Sequence, residues 1–196
     1  MSKYNLYIED VSVEAVFNKL GGVDGAKQLL SGELVIKGAE LVSQIFSVIV
    51  DYSSTLCAMI EAGSYNWVSL DINDKNFPSP KITSDLPQAT INLELIRFNK
   101  RMSSEQVMDE LKKQNLRPAT LPELLAFGAK FPEKQRKYPL VALGSVWQNL
   151  YGRRRVPILY GDDDERALDL DDWDGDWDGR YRFLAVREVM PADRQA

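Results

Sequence analysis

The sequence predicts an α+β chain built in two parts: a helical N-terminal region with a linker over residues 1–85, and an α+β domain over 86–190 followed by a tail at 191–196. Three observations carry that expectation. Apolar residues recur at helical spacing from residue 10 to about 62, and turn-forming residues crowd the stretch 63–90. Beyond them one alternating strand leads into two capped helices and then several short apolar runs punctuated by glycine.

Taken in order, Ser12 caps a short helix whose Val13, Val16, Phe17 and Leu20 fall on one face, closed by Gly21-Gly22. Asp24 opens a second short helix through Leu29 and Leu30, and a brief apolar stretch follows at Leu34–Ile36. From Ala39 to Ala62 there is neither Pro nor Gly, and Leu41, Val42, Ile45, Phe46, Ile49, Leu56, Met59 and Ile60 suit an amphipathic helix of about six turns with Gly63 at its C-terminal cap. Cys57, inside that helix, reads as a packing residue. Asn73, Asp74, Asn76, Pro78, Pro80 and Pro87 mark a loop or linker, with a domain boundary near residue 85. Thr90–Phe98 alternates as a strand. Ser103 with Gln106, and Thr120 with Glu123, form capping boxes for the two helices that follow, the second ending before Pro132. Leu140–Trp147, Val156–Tyr160 and Tyr181–Val186 are the remaining strands.

Composition excludes much chemistry. Among 196 residues, 44% hydrophobic and 27% charged, there is one cysteine and no histidine. Ser-His-Asp and Cys-His nucleophile pairs, histidine bases and imidazole zinc sites are therefore ruled out. One cysteine makes no internal disulfide, which fits a reducing, cytoplasmic setting. No basic segment followed by an apolar run stands at the N-terminus, and no apolar run approaches the ~20 residues that span a bilayer, so neither a signal peptide nor a membrane association is expected. A net charge of −5 opposes nucleic-acid binding overall.

The run MSSEQVMDELKKQNLRPATLPELLAFGAKF at 102–131 resembles the two-helix segment of C-type-lectin-like domains, in the branch shared with formylglycine-generating enzymes. Arg117-Pro118-Ala119-Thr120 with Glu123 stands for the string that caps the second helix there. ALGSVWQ at 142–148 is similar to the branch's GNVWEW strand, and WDGRYRFLAVR at 177–187 to its closing strand. The likeness covers roughly residues 90–190 and implies a C-type-lectin-like fold. The late cysteines of the formylglycine-generating enzymes and the metal-binding histidines of their sulfoxide-synthase relatives are absent. The resemblance thus implies a display scaffold, closest to the variable proteins of diversity-generating retroelements, whose C-terminal strands and loops carry ligand-contacting residues.

Three features of the C-terminal third invite a function. Between Asp162 and Asp178 stand ten acidic residues and one basic residue, Arg166. Hard carboxylate oxygens suit calcium, with Asp174, Asp176 and Asp178 as its candidates, although Ala185 occupies the twelfth position where an EF-hand needs Glu. Against calcium stands a solvated acidic loop without a cofactor, which is the expectation. Aromatic and arginine residues gather nearby, and Tyr, Trp and Arg make strong contacts at small entropic cost. Tyr151, Arg153, Arg155, Tyr160, Trp173, Trp177 and Arg180 are the candidate ligand-binding residues. Basic residues at Lys130, Lys134, Arg136, Lys137 and Arg153-Arg154-Arg155 suit helix dipoles and pairing with the acidic segment better than nucleic acid.

The expectation is a non-enzymatic, protein-binding protein that forms a homo-oligomer through its N-terminal helices. The alternatives are an enzyme of the formylglycine-generating type, a carboxylate-based hydrolase, or a phage-associated regulatory protein acting through the N-terminal helices.

Overall fold

The computed structural model describes residues 45–78 and 87–187. The two short helices expected from Ser12 and Asp24, the stretch Leu34–Ile36 and any assembly through the N-terminal helices lie outside them. The first described element is strand β1 (Ile45–Asp51), where a long helix is expected from Ala39 to Ala62. The apolar residues here satisfy both periods. What decides is the alternation of buried Phe46, Val48 and Val50 with outward Ile45, Ser47 and Ile49, in a segment rich in β-branched side chains that sit poorly in helices. The Asp51 carboxylate then accepts from both the N–H and the hydroxyl of Ser53, which turns the chain. Thr55 caps helix α1 (Leu56–Gly63), its hydroxyl accepting from Ala58 N–H, and Ser64 closes the helix in the left-handed conformation at φ 50°.

Strand β2 (Trp67–Val68) and a turn over residues 69–77 follow, then β3 (Gln88–Ile96), close to the expected strand. A short strand β4 (Met102–Ser103) leads into α2 (Ser104–Lys113), where the Ser103–Gln106 capping box is formed. Next come β5 (Leu116–Pro118), α3 (Leu121–Lys130) and α4 (Pro132–Lys137). The expected strand Leu140–Trp147 is divided into β6 (Leu140–Val141) and β7 (Trp147–Gln148). Gly144 bends the chain between them against the Ala119 backbone, where a side chain would collide with the carbonyl. Strand β8 (Arg154–Gly161) is followed by β9 (Arg166–Asp172), β10 (Asp176–Trp177) and β11 (Arg182–Arg187). The acidic stretch is therefore only partly loop: residues 162–165 connect β8 to β9 in the open, but in β9 Arg166, Leu168 and Leu170 are buried while Asp169 and Asp171 point the other way.

Among the described residues, nine strands join in one mixed sheet, ordered β1-β3-β11-β6-β8-β9-β2, with β5 paired to β11 and β7 to β8. Strand β11 runs antiparallel to β3 and parallel to β6. Its side chains alternate between two cores. Leu184 and Val186 join Phe46, Leu93, Leu124 and Phe127 under α1 and α3, whereas Phe183 and Ala185 join Val107, Leu111, Trp173 and Trp177 under α2. By its contacts the chain divides between Val42 and Ser43. The boundary expected near residue 85 thus falls inside the second unit, because β1 pairs with β3 over all seven of its residues.

Candidate binding surface

The turn joining β7 to β8 is built by its own hydrogen bonds. Asn149 Oδ1 accepts from the N–H groups of Tyr151 (2.9 Å) and Arg153 (3.0 Å), an Asx arrangement that fixes the tip. Gly152 takes φ +79°, a conformation that costs glycine little, and its carbonyl accepts from Gln148 Nε2 at 2.8 Å. The result is an ordered tip on which Leu150 is fully exposed, Tyr151 is 91% exposed and Arg153 also faces solvent. Leu150 escaped the sequence reading. Its position between Asn149 and Gly152, two turn formers, is the signal that could have found it.

The two tryptophans are placed otherwise than expected. Trp173 is 8% exposed and Trp177 3%, so neither is offered to a ligand. Trp173 Nε1–H donates to Glu105 at 2.9 Å, Trp177 Nε1–H donates to Ser104 Oγ at 2.8 Å, and Ser104 Oγ–H donates to the Trp173 carbonyl at 2.7 Å. These rings have amphipathic edges, and an indole N–H buried with a partner fastens two elements together. Here they bind the acidic segment to the first turn of α2. Arg154 completes the clasp: it pairs with Asp174, reaches Glu105 at 3.2 Å and lies 5.4 Å from the Trp173 ring centre. The Trp173 indole is the main reason the Glu105 carboxyl is held down at about 2, and Arg154 lowers that of Asp174.

Arg155 is half-buried and donates to the Leu170 carbonyl across the β8–β9 pair. Tyr160 is partly exposed with its hydroxyl 3.5 Å from Asp169, and Tyr181 donates to Asp171 at 3.2 Å; burial first, then the neighbouring carboxylate, pushes both phenols up. Arg180 is exposed and folded back on Asp178, its Nη2 donating at 2.8 Å. The candidate residues therefore do not form one patch. Six residues of extended strand, about 20 Å, separate the start of β8 near Tyr151 from Tyr160.

Of the calcium candidates, Asp174 is committed to Arg154 and Asp178 to Arg180, while Asp176 is exposed on β10. Among the described residues no group of three or more acids, cysteines or histidines is placed to hold a metal ion. Cys57, expected to be packed, is exposed on α1, and its thiol is pushed up by Glu61, to which it donates at 3.4 Å.

Among the described residues two carboxylates are deeply buried, and each meets an arginine. Glu123 accepts from Arg117 at 2.6 and 3.0 Å, from the Thr120 N–H at 2.7 Å and from Tyr52 at 3.0 Å; Glu94 accepts from Arg187 at 2.8 and 3.1 Å. Tyr52 is a member of this network that the sequence did not reveal, its phenol pushed up to about 12 by burial and by Glu123. Among the described residues no helix is long and apolar enough to cross a membrane. Compared with known proteins, the chain matches no family model, no curated protein and no solved structure.

Proposed function

We propose that this chain is a non-enzymatic binding protein of the cytoplasm that uses a C-type-lectin-like scaffold to present the β7–β8 turn to a protein partner. The observation that carries the reading is the pair Leu150–Tyr151, two large side chains given wholly to solvent on a backbone that Asn149 and Gln148 hold in place. An ordered apolar tip loses little entropy on docking, and tyrosine beside arginine has hot-spot composition. Arg153 makes the tip basic on a chain of net charge −5, so the surface that suits it is an apolar hollow with an acidic rim.

The order of elements supports the scaffold. Strands β3 and β11, near the two ends of residues 87–187, lie antiparallel side by side, with α2, α3 and the inner strands between them. The buried acids favour binding over catalysis, since Glu94 and Glu123 are held by arginines in structural ion pairs. A variable protein of a diversity-generating retroelement fits the same reading. A neighbouring reverse-transcriptase gene with a near-copy of the C-terminal coding segment, differing at adenines, would identify it as one.

The test pans a random-peptide phage library on the immobilised full chain. Selected peptides should bind the Leu150→Ser, Tyr151→Ser double variant roughly 30-fold more weakly or worse, the loss expected of a hot spot, while its thermal melt stays unchanged. Peptides that bind both chains equally would remove the tip from the binding surface.

A further inference from the structure

Among the described residues, β1 is the outermost strand: it pairs with β3 on one side and with no strand on the other. The N–H of Tyr52 donates to the Pro87 carbonyl, so the even-numbered residues of this segment turn their backbone groups toward β3 and the odd-numbered ones turn theirs outward. Ser47 agrees with that parity, its carbonyl accepting from Lys130 Nζ at 2.8 Å. Soluble proteins protect such edges with charges, proline, bulges or a covering element. Along β1 there is no proline and the one charged residue is Asp51 at its end; Ile49 is 67% exposed, and Lys130 Nζ sits on the edge at the Ser47 carbonyl. Beside it runs an apolar groove of about 510 Å³ between β1, α1 and α3, walled by Ile49, Met59, Ala62, Leu125 and Ala129.

We propose that the open edge of β1 pairs antiparallel with β1 of a second copy, about a two-fold axis passing through the Ile49 pair. The charges on the edge select that register. With Ile49 opposite its own counterpart, outward residue faces outward residue and Ser47 stands opposite Asp51 of the second copy. Lys130, already seated at Ser47, then meets that carboxylate, whose oxygens also accept from Ser53 and Gln88 of their own chain, and symmetry makes the ion pair twice. Centring the axis on Ser47 instead brings the two Lys130 ammonium groups together, which like-charge repulsion opposes. The favoured register also sets the two apolar grooves side by side along the extended sheet. This assembly uses a different face from the β7–β8 tip, and its test is independent of peptide binding.

Sedimentation velocity on the full chain, at concentrations up to tens of micromolar, should show a dimer. Ile49→Lys places two ammonium groups opposite one another at an exposed position and should leave a folded monomer. Asp51→Lys and Lys130→Asp should each weaken dimerisation at least ten-fold, and the two together should restore it. In a Cys57→Ser background, Ile49→Cys should be bridged between subunits by a short bis-maleimide, because opposed hydrogen-bonded residues lie about 5.5 Å apart at Cα. Ile45→Cys should not, since its counterpart in this register is Ser53. A chain that is monomeric throughout, as it is when another segment or peptide covers the edge, overturns the proposal. So does a dimer that survives Ile49→Lys.

Discussion

The guanidinium of Arg166 lies 5.0 Å from the centre of the Tyr65 ring, with Arg166 buried and Tyr65 half-buried against two glycines, Gly63 and Gly128. Arg166 donates to the carbonyls of Gly63 (2.6 Å) and Gly128 (2.7 Å) and to Gln135 Oε1 (2.9 Å), which ties α1, α3 and α4 to the first residue of β9. Each of these acceptors is a neutral oxygen, and burial lowers the arginine's affinity for its proton. Arg166→Met keeps the bulk and leaves the three acceptors without this donor, at a cost of about 3 kcal/mol or more. Arg166→Lys should recover only part of that, because one ammonium cannot reproduce the fork. Urea denaturation of both variants measures the loss, and a midpoint unchanged in Arg166→Met would show that the fork is idle.

Tyr65 predicts the opposite sign. Its hydroxyl is buried with no hydrogen-bond partner among the described residues, so the side chain carries a desolvation penalty that phenylalanine lacks. Tyr65→Phe should therefore stabilise the fold, by about 1 kcal/mol, whereas Tyr65→Ala opens a cavity and costs about 3–5 kcal/mol. Thermal melts of the pair give the two signs directly.

Ser104 is the hub of the tryptophan clasp, taking the Trp177 indole and giving its proton to the Trp173 carbonyl. Ser104→Ala strands both buried groups and should cost about 1–3 kcal/mol. Near-ultraviolet circular dichroism reports it, since both indoles lose their fixed setting; an unaltered tryptophan band would contradict the clasp.

The same clasp should be acid-labile. Glu105 is held from 4.5 down to about 2, foremost by the Trp173 N–H, and Asp174 is lowered foremost by Arg154. A carboxyl lowered on folding contributes its stability in full above its ordinary range and loses it as pH falls toward the folded value. The contribution therefore fades between pH 4.5 and about 2. Tryptophan emission should shift in that window, and Glu105→Gln should show a smaller pH-dependent step than the parent chain. Equal steps in the two proteins would assign the transition to other carboxyls.

What the sequence revealed follows the range of the interactions involved. The helices α2 and α3 are legible because Ser103–Gln106 and Thr120–Glu123 act over three residues. Strand β1 was hidden because its apolar residues satisfy a helical period as well, and only the burial of Phe46, Val48 and Val50 separates the two. Strand β9 was hidden by charge: Asp169 and Asp171 alternate with Leu168 and Leu170, and a run of acids reads as loop before it reads as period two. The settings of Trp173 and Trp177 were beyond local reading, since their partners lie 68 and 73 positions away. The tip residue Tyr151 was legible for the converse reason, as its turn is closed entirely by neighbours.

Strand β11 enters the sheet between β3 and β6, and its alternate side chains separate the two cores. During synthesis it is also the last of the described strands to emerge. Until Arg182–Arg187 clears the ribosome, β3 and β6 have no strand to join them, and each helical layer faces half a floor. Until then the nascent chain holds both apolar layers open, so this short segment works as a keystone whose arrival locks the arch.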